Sequence, residues 1–120
     1  MRNVFGKLLG KCEGIQFRPA EDFTPLEAAR LVCYQAISLI EKNADEAVVW
    51  AAMANLVGGE TAYKVVNDAM DVYGGLGYSR KLPFERHLRD VKATQIVNAT
   101  LKIKIGRRLF GKEFSPPISS

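Results

Sequence analysis

The sequence predicts an all-α fold, an up-down bundle of four helices. Apolar residues recur at spacings of three and four along much of the chain, and glycines and prolines punctuate those runs at helix-length intervals. No stretch alternates apolar and polar residues for the length of a useful strand. A chain of 120 residues is one domain's worth. The expected organisation is a helical domain over 1–114 and a tail over 115–120, where "SPPISS" lacks periodicity.

The first segment, "VFGKLLGKCEGIQFRP", has helical apolar spacing through Val4, Leu8 and Ile15, diluted by Gly6, Gly10 and Gly14. Pro19 is expected to break or kink any helix there. The clearest helix start is "TPLE" at 24–27: Thr24 can cap, Pro25 suits the first helical position, and Glu27 completes a capping box. Leu26, Ala29, Cys33, Ala36 and Ile40 then share one face, which predicts a helix over roughly 25–42.

"NADE" at 43–46 reads as a second capping box, from Asn43 to Glu46. The apolar series Val49, Met53, Leu56, Val57, Tyr63, Val66, Met70 and Tyr73 follows. Gly58 and Gly59 fall inside it. The resumed period favours one continuous helix that packs closely at the glycine pair. Gly74 and Gly75 end that helix. Pro83 opens a short helix with Glu85 near its positive end, and a last helix near 100–110 presents Leu101, Ile105 and Leu109 on one face. Lys102, Lys104, Arg107 and Arg108 occupy the rest of its circumference.

Composition is that of an ordinary soluble globular protein, 48% hydrophobic and 25% charged, which excludes a disordered or fibrous chain. No apolar run is long enough to span a bilayer, and the N-terminus lacks a secretory pattern, so a cytoplasmic, membrane-free protein is expected. Cys12 and Cys33 lack metal or redox spacing and read as reduced thiols, and one histidine, His87, leaves little material for a metal site. Residues 1–60 carry 6 basic and 8 acidic side chains, residues 61–120 carry 11 and 5. That basic half could meet phosphates, but it lacks the density of a nucleic-acid module and reads as a solvated face.

The stretch "DVYGGLGYSRKLPFERHLRD" at 71–90 tests two phosphate motifs and fails both. It lacks the GxxxxGK[ST] spacing, and after Gly75 and Gly77 a dinucleotide fingerprint would need glycine where Arg80 stands. A helix C-cap and turn is the favoured reading over a ligand loop. Glu85–Arg89 and Arg86–Asp90 are spaced to pair along a helix, and His87 among them reads as a solvated residue.

The order of motifs nevertheless resembles the C-terminal helical domain of the acyl-CoA dehydrogenase family along nearly the whole chain. "RNVFGK" at 2–7 looks like its Arg-x-x-Phe-Gly segment, and "IQFRPAEDFTPLEAARLVCYQA" matches its helices. "AAMANL" at 51–56, "VYGGLGYSRKLPFERHLRD" and "QIVNAT" at 95–100 follow in the family's order. The resemblance implies FAD-dependent oxidation of acyl-CoA to enoyl-CoA and a four-helix domain that forms homo-oligomer contacts. It implies that Arg2 contacts the FAD pyrophosphate and Phe5 packs near the flavin. Gly74, Gly75 and Gly77 would let backbone approach the adenosine side, with Thr100 close to the isoalloxazine.

Two departures bear on chemistry. Asn98 stands where many members carry the catalytic glutamate, and an amide cannot accept a proton at neutral pH. Asp71 stands where a glutamine usually binds FAD, and its charge disfavours a nearby pyrophosphate. The resemblance thus implies a domain that contributes FAD contacts and subunit association and is inactive alone, completed by other dehydrogenase domains before acyl-CoA can bind. The second reading is a non-catalytic helical oligomerisation module derived from that family. Nucleic-acid binding through Lys102, Lys104, Arg107 and Arg108 is set below both.

Overall fold

The structure, a computed structural model, describes residues 3–4, 7–8 and 13–111, with side chains from Gln16 to Gly111 except at Ala99. Strands β1 (Asn3–Val4) and β2 (Lys7–Leu8) pair antiparallel, with Asn3 opposite Leu8 and Val4 opposite Lys7. Four helices follow: α1 (Glu13–Glu41), α2 (Ala47–Tyr73), the single turn α3 (Gly75–Tyr78) and α4 (Phe84–Phe110). The all-α expectation holds. The helical spacing of Val4 and Leu8 does not produce a helix, since the glycines diluting that segment carry the highest entropic cost of helix formation short of proline.

Helix α2 packs α1 along one side and α4 along the other, while α1 and α4 barely meet. The three long helices therefore form a flat layer of 61 × 34 × 22 Å. Small residues make this close packing possible. Ala29 and Ala36 of α1, with Ala52 of α2, are the buried apolar side chains among the described residues. Ala29, Cys33 and Ala36 thus lie on the inner face that the periodicity predicts, with Leu26 and Ile40 at its exposed margins. The α2 helix runs unbroken through Gly58 and Gly59, and Gly59 is buried against α4. A Cβ there would lie 2.7 Å from Asn98 Nδ2 and 3.2 Å from Thr94 Cγ2.

Three expected boundaries are corrected. Helix α1 begins at Glu13 and passes through both Pro19 and Pro25. Thr24 is not a cap, because its hydroxyl donates to the Ala20 carbonyl at 3.3 Å, and Glu27 pairs with Arg30 at 3.1 Å. Ion pairs from this half of α1 to α2 supply the tertiary compensation that local proline penalties leave out. Asn43 does not start α2 either. It takes a positive φ of 49° just after α1, a conformation asparagine tolerates, and Glu46 reaches Arg108 of α4 at 3.1 Å. Finally, residues 84–110 form one helix, not two, since no breaker falls inside it but Gly106.

Side-chain charges clamp the N-terminal half of α1 onto the C-terminal half of α2. Arg18 donates to Asp71 at 3.2 Å, and Lys64 donates both to the buried Asp22 carboxylate and to Asp68 at 2.8 Å. Hydrogen bonds to Asp22 first, and then to Asp68, raise the Lys64 pKa above the ordinary lysine range. The hydrogen bond from Lys64 holds the Asp68 carboxyl below the ordinary carboxylate range. A depressed carboxyl contributes stability above its unfolded pKa that disappears as pH falls through the folded value; a raised lysine contributes stability that disappears as pH rises. The clamp is therefore at full strength from about pH 5 to about pH 9. Thermal melts across pH should show the stability plateau narrowing at both ends, and Lys64→Met should lower the plateau and flatten both limbs. Unchanged limbs in that variant would remove the clamp from the account of stability.

Candidate functional site

The glycine turn closes α2 and redirects the chain into α4. Gly74 adopts φ 58° and ψ −138°, and its N–H donates to the carbonyls of Met70 at 2.9 Å and Asp71 at 3.1 Å. That conformation lies outside what a side chain tolerates, which accounts for glycine at this position. Ser79 fixes the exit: its Oγ donates to the Leu76 carbonyl at 2.7 Å and accepts the Lys81 N–H at 3.4 Å. The Tyr73 ring lies 5.0 Å from that of Phe84, tying the end of α2 to the start of α4.

The other two glycines differ in role. Gly77 is buried, and a Cβ on it would stand 2.7 Å from the Met70 carbonyl oxygen and 3.0 Å from Tyr73 Cβ. It is glycine so that α3 can fold back on α2. Gly75 is exposed, and a Cβ there would meet nothing within 4 Å. Backbone at Gly75 is therefore the part of the turn another molecule could approach. Asp71 is exposed beside it, but Arg18 faces its carboxylate, so the turn does not present a bare negative charge. This edge is open backbone and not a pocket that could enclose a cofactor.

Asn98 and Thr100 lie elsewhere. Thr100 is exposed on α4, about 24 Å along the helix from Phe84, so the chain does not gather it with the glycine turn. Asn98 is 3% exposed, sealed in the α2–α4 seam against Gly59. Its Nδ2 donates to the Asn55 carbonyl at 3.4 Å, while Oδ1 is buried without a hydrogen-bond partner in the described structure. Arg2 and Phe5 lie outside the described residues, as does Cys12, and so does the expected boundary between 114 and 115.

Residues to which the sequence assigned no ligand role line a cleft of about 890 Å³ beside the turn, between α2 and α4. Tyr63, Tyr78, Arg80, Arg89 and Lys92 contribute to its walls. The expected Glu85–Arg89 pair gives way to one between Glu85 and Arg80, at 3.6 Å. The signal lay in the basic excess of the second half and the i,i+3 spacing of Arg89 and Lys92, which puts both on one face. His87 is exposed, and no group of three or more potential metal ligands occurs among the described residues. No described helix is long and apolar enough to cross a membrane.

Two mutational outcomes follow from this geometry. In urea denaturation, Gly77→Ala and Gly74→Ala should each cost about 1–3 kcal/mol, the first by overlap and the second by backbone strain. Gly75→Ala should stay within about 0.5 kcal/mol of the parent. Equal costs at all three would contradict the division of roles. Asn98→Glu should cost about 3 kcal/mol at neutral pH by burying an unpaired carboxylate. Burial raises that carboxyl's folded pKa, so the loss should shrink as pH falls toward about 4.

The family model for the acyl-CoA dehydrogenase C-terminal domain matches residues 1–108. Short-chain specific acyl-CoA dehydrogenase of Bos taurus is 38% identical over 86% of this chain and 25% of its own length. 3-Sulfinopropanoyl-CoA desulfinase of Variovorax paradoxus is 37% identical over 92% of this chain and 28% of its own. A chain from a solved structure described as electron transferring flavoprotein of Acidaminococcus fermentans matches with a TM-score of 0.85 at 35% identity, covering 91% of this chain and 29% of that one. The sequence thus spans about a quarter of the length of the curated relatives it matches. The chain belongs to the acyl-CoA dehydrogenase family and corresponds to that family's C-terminal domain.

Proposed function

We propose that this domain serves as the helical wall of a cytoplasmic, FAD-dependent acyl-CoA oxidoreductase, contributing cofactor contacts and subunit association while lacking a catalytic base of its own. In that reading residues 1–114 are the helical domain, 115–120 a tail, and the assembly a homo-oligomer completed by further dehydrogenase domains. The observation that carries it is an unfinished core. No large side chain is fully buried among the described residues, while Leu31, Ile96 and Leu109 are 67%, 72% and 70% exposed. The accessible surface of 9111 Å² exceeds the roughly 6,500 Å² of a compact monomer of 13.3 kDa. The radius of gyration of 18.5 Å likewise exceeds the about 14 Å expected for this length. The excess accessible surface, roughly 2,600 Å², is of the order that obligate interfaces cover.

Toward the cofactor, the backbone at Gly74 and Gly75 would border the adenosine side, with Arg2 on the pyrophosphate, Phe5 near the flavin and Thr100 near the isoalloxazine. Bound FAD would supply the hydride acceptor for acyl-CoA oxidation. Arg18 holds the Asp71 charge in check beside that edge. Asn98 offers no proton acceptor and no access, so α-proton abstraction has to come from another segment. Relatives named as a dehydrogenase and as a desulfinase share this domain, so the choice of reaction is assigned to the rest of the enzyme.

Co-expression with the N-terminal and middle domains of a short-chain acyl-CoA dehydrogenase tests the reading. The chain alone should retain no flavin absorbance and turn over no acyl-CoA, while the reassembled protein should hold FAD. Turnover by the chain alone, or a monomer by light scattering at high concentration, would sink it. Stable assembly that never retains flavin would instead select the non-catalytic oligomerisation module, which the sealed Asn98 favours.

A further inference from the structure

The cleft between α2 and α4 brings together charged, aromatic and apolar side chains that the backbone contacts proposed for Gly74 and Gly75 do not use. Its volume of about 890 Å³ lies within the range of small-molecule sites. Met70, Leu88 and Ile96 provide apolar lining, and Tyr78, 82% exposed, presents a ring that is free to stack. Arg89 and Lys92 stand three residues apart on α4, close enough for one anion to meet both. Lys92 Nζ lies 5.0 Å from the centre of the Tyr63 ring and donates to Gln95 Oε1 at 3.2 Å, which holds the ammonium at the cleft wall.

Charge balance points to the ligand class. The lining carries three cations, Arg80, Arg89 and Lys92, against one carboxylate, Glu85. That carboxylate is engaged by Arg80, and Arg89 forms no ion pair among the described residues. A planar guanidinium beside an ammonium suits a doubly charged phosphate, and the aromatic and apolar walls suit a flat base.

We propose that this cleft binds a nucleotide, with Arg89 and Lys92 on the phosphate and Tyr78 against the base. The site draws on α2, on Tyr78 of α3, on Arg80 of the loop that follows and on α4, and it does not rest on the flavin reading. Its chemistry is shared by free nucleotides and by the nucleotide half of a flavin dinucleotide, so the test carries an arm for each.

Backbone-amide NMR on the full chain, titrated with ADP, adenosine, inorganic phosphate and FAD, decides the matter. ADP should shift amides at 78–80 and 88–96 and saturate at concentrations about tenfold below those of adenosine or phosphate. Arg89→Ala and Lys92→Ala should each weaken ADP about tenfold, as loss of a charge-assisted hydrogen bond predicts, while Arg89→Lys recovers part of it. Lys102→Ala, outside the cleft, should leave binding unchanged. FAD that displaces ADP would identify the flavin's nucleotide half as the ligand, and FAD bound alongside ADP would assign the cleft to a free nucleotide. Phosphate as effective as ADP, Lys102→Ala as damaging as Arg89→Ala, or no shift at these amides would overturn the proposal. Because Arg89 and Lys92 are exposed, their variants should keep the parent helical circular dichroism, which separates lost binding from lost fold.

Discussion

Close approach of backbones along α2 is the constraint on which the rest of the structure depends. This helix touches every other helix, and it does so through residues with almost no side chain, Ala52 and Gly59 foremost. At Gly59 the gap to Asn98 would not admit a methyl group without displacing the amide. The seam draws its strength from dispersion over a close-fitting contact rather than from large buried side chains. That choice limits how much apolar area a lone chain can bury. It also explains why charged pairs, Arg18 with Asp71 and Lys64 with Asp22 and Asp68, help register α1 on α2.

A flat layer of helices has two broad faces, and among the described residues large apolar side chains such as Leu31, Ile96 and Leu109 stay exposed. Bundles of this length normally hide such faces against a further helix or a partner. The family assignment gives a reason for the exposure, since the aligned part of this chain makes up only 25% of a relative such as the Bos taurus dehydrogenase. What makes the layer poor as an isolated molecule makes it suitable as a wall between other parts. Asn98 fits that view: in the seam it donates one hydrogen bond and leaves an acceptor unpaired, which helix packing tolerates but catalysis could not use.

Much of this was legible in the residues. Gly74 marks the end of α2, the run through Gly58 and Gly59 reads as one helix, and Ala29 and Ala36 fall on the predicted inner face. The motif order led to the family. Prolines 19 and 25 misled because local rules count the lost amide bonds but not the contacts between α1 and α2 that compensate. The box from Asn43 to Glu46 misled because both residues had other uses, a left-handed turn and an ion pair with Arg108. The cleft was hidden for a related reason: nothing in the spacing of Glu85 and Arg89 says that Arg80, from the preceding loop, will take the carboxylate.

Helix α4 has a mechanical consequence. Its 27 residues form a single rod about 40 Å long, anchored at one end by the ring contact between Tyr73 and Phe84 and further along by Lys102–Glu60 and Arg108–Glu46. Held to α2 at both ends, the rod cannot swing by itself, so a shift where the glycines turn the chain has to be shared between α4 and α2.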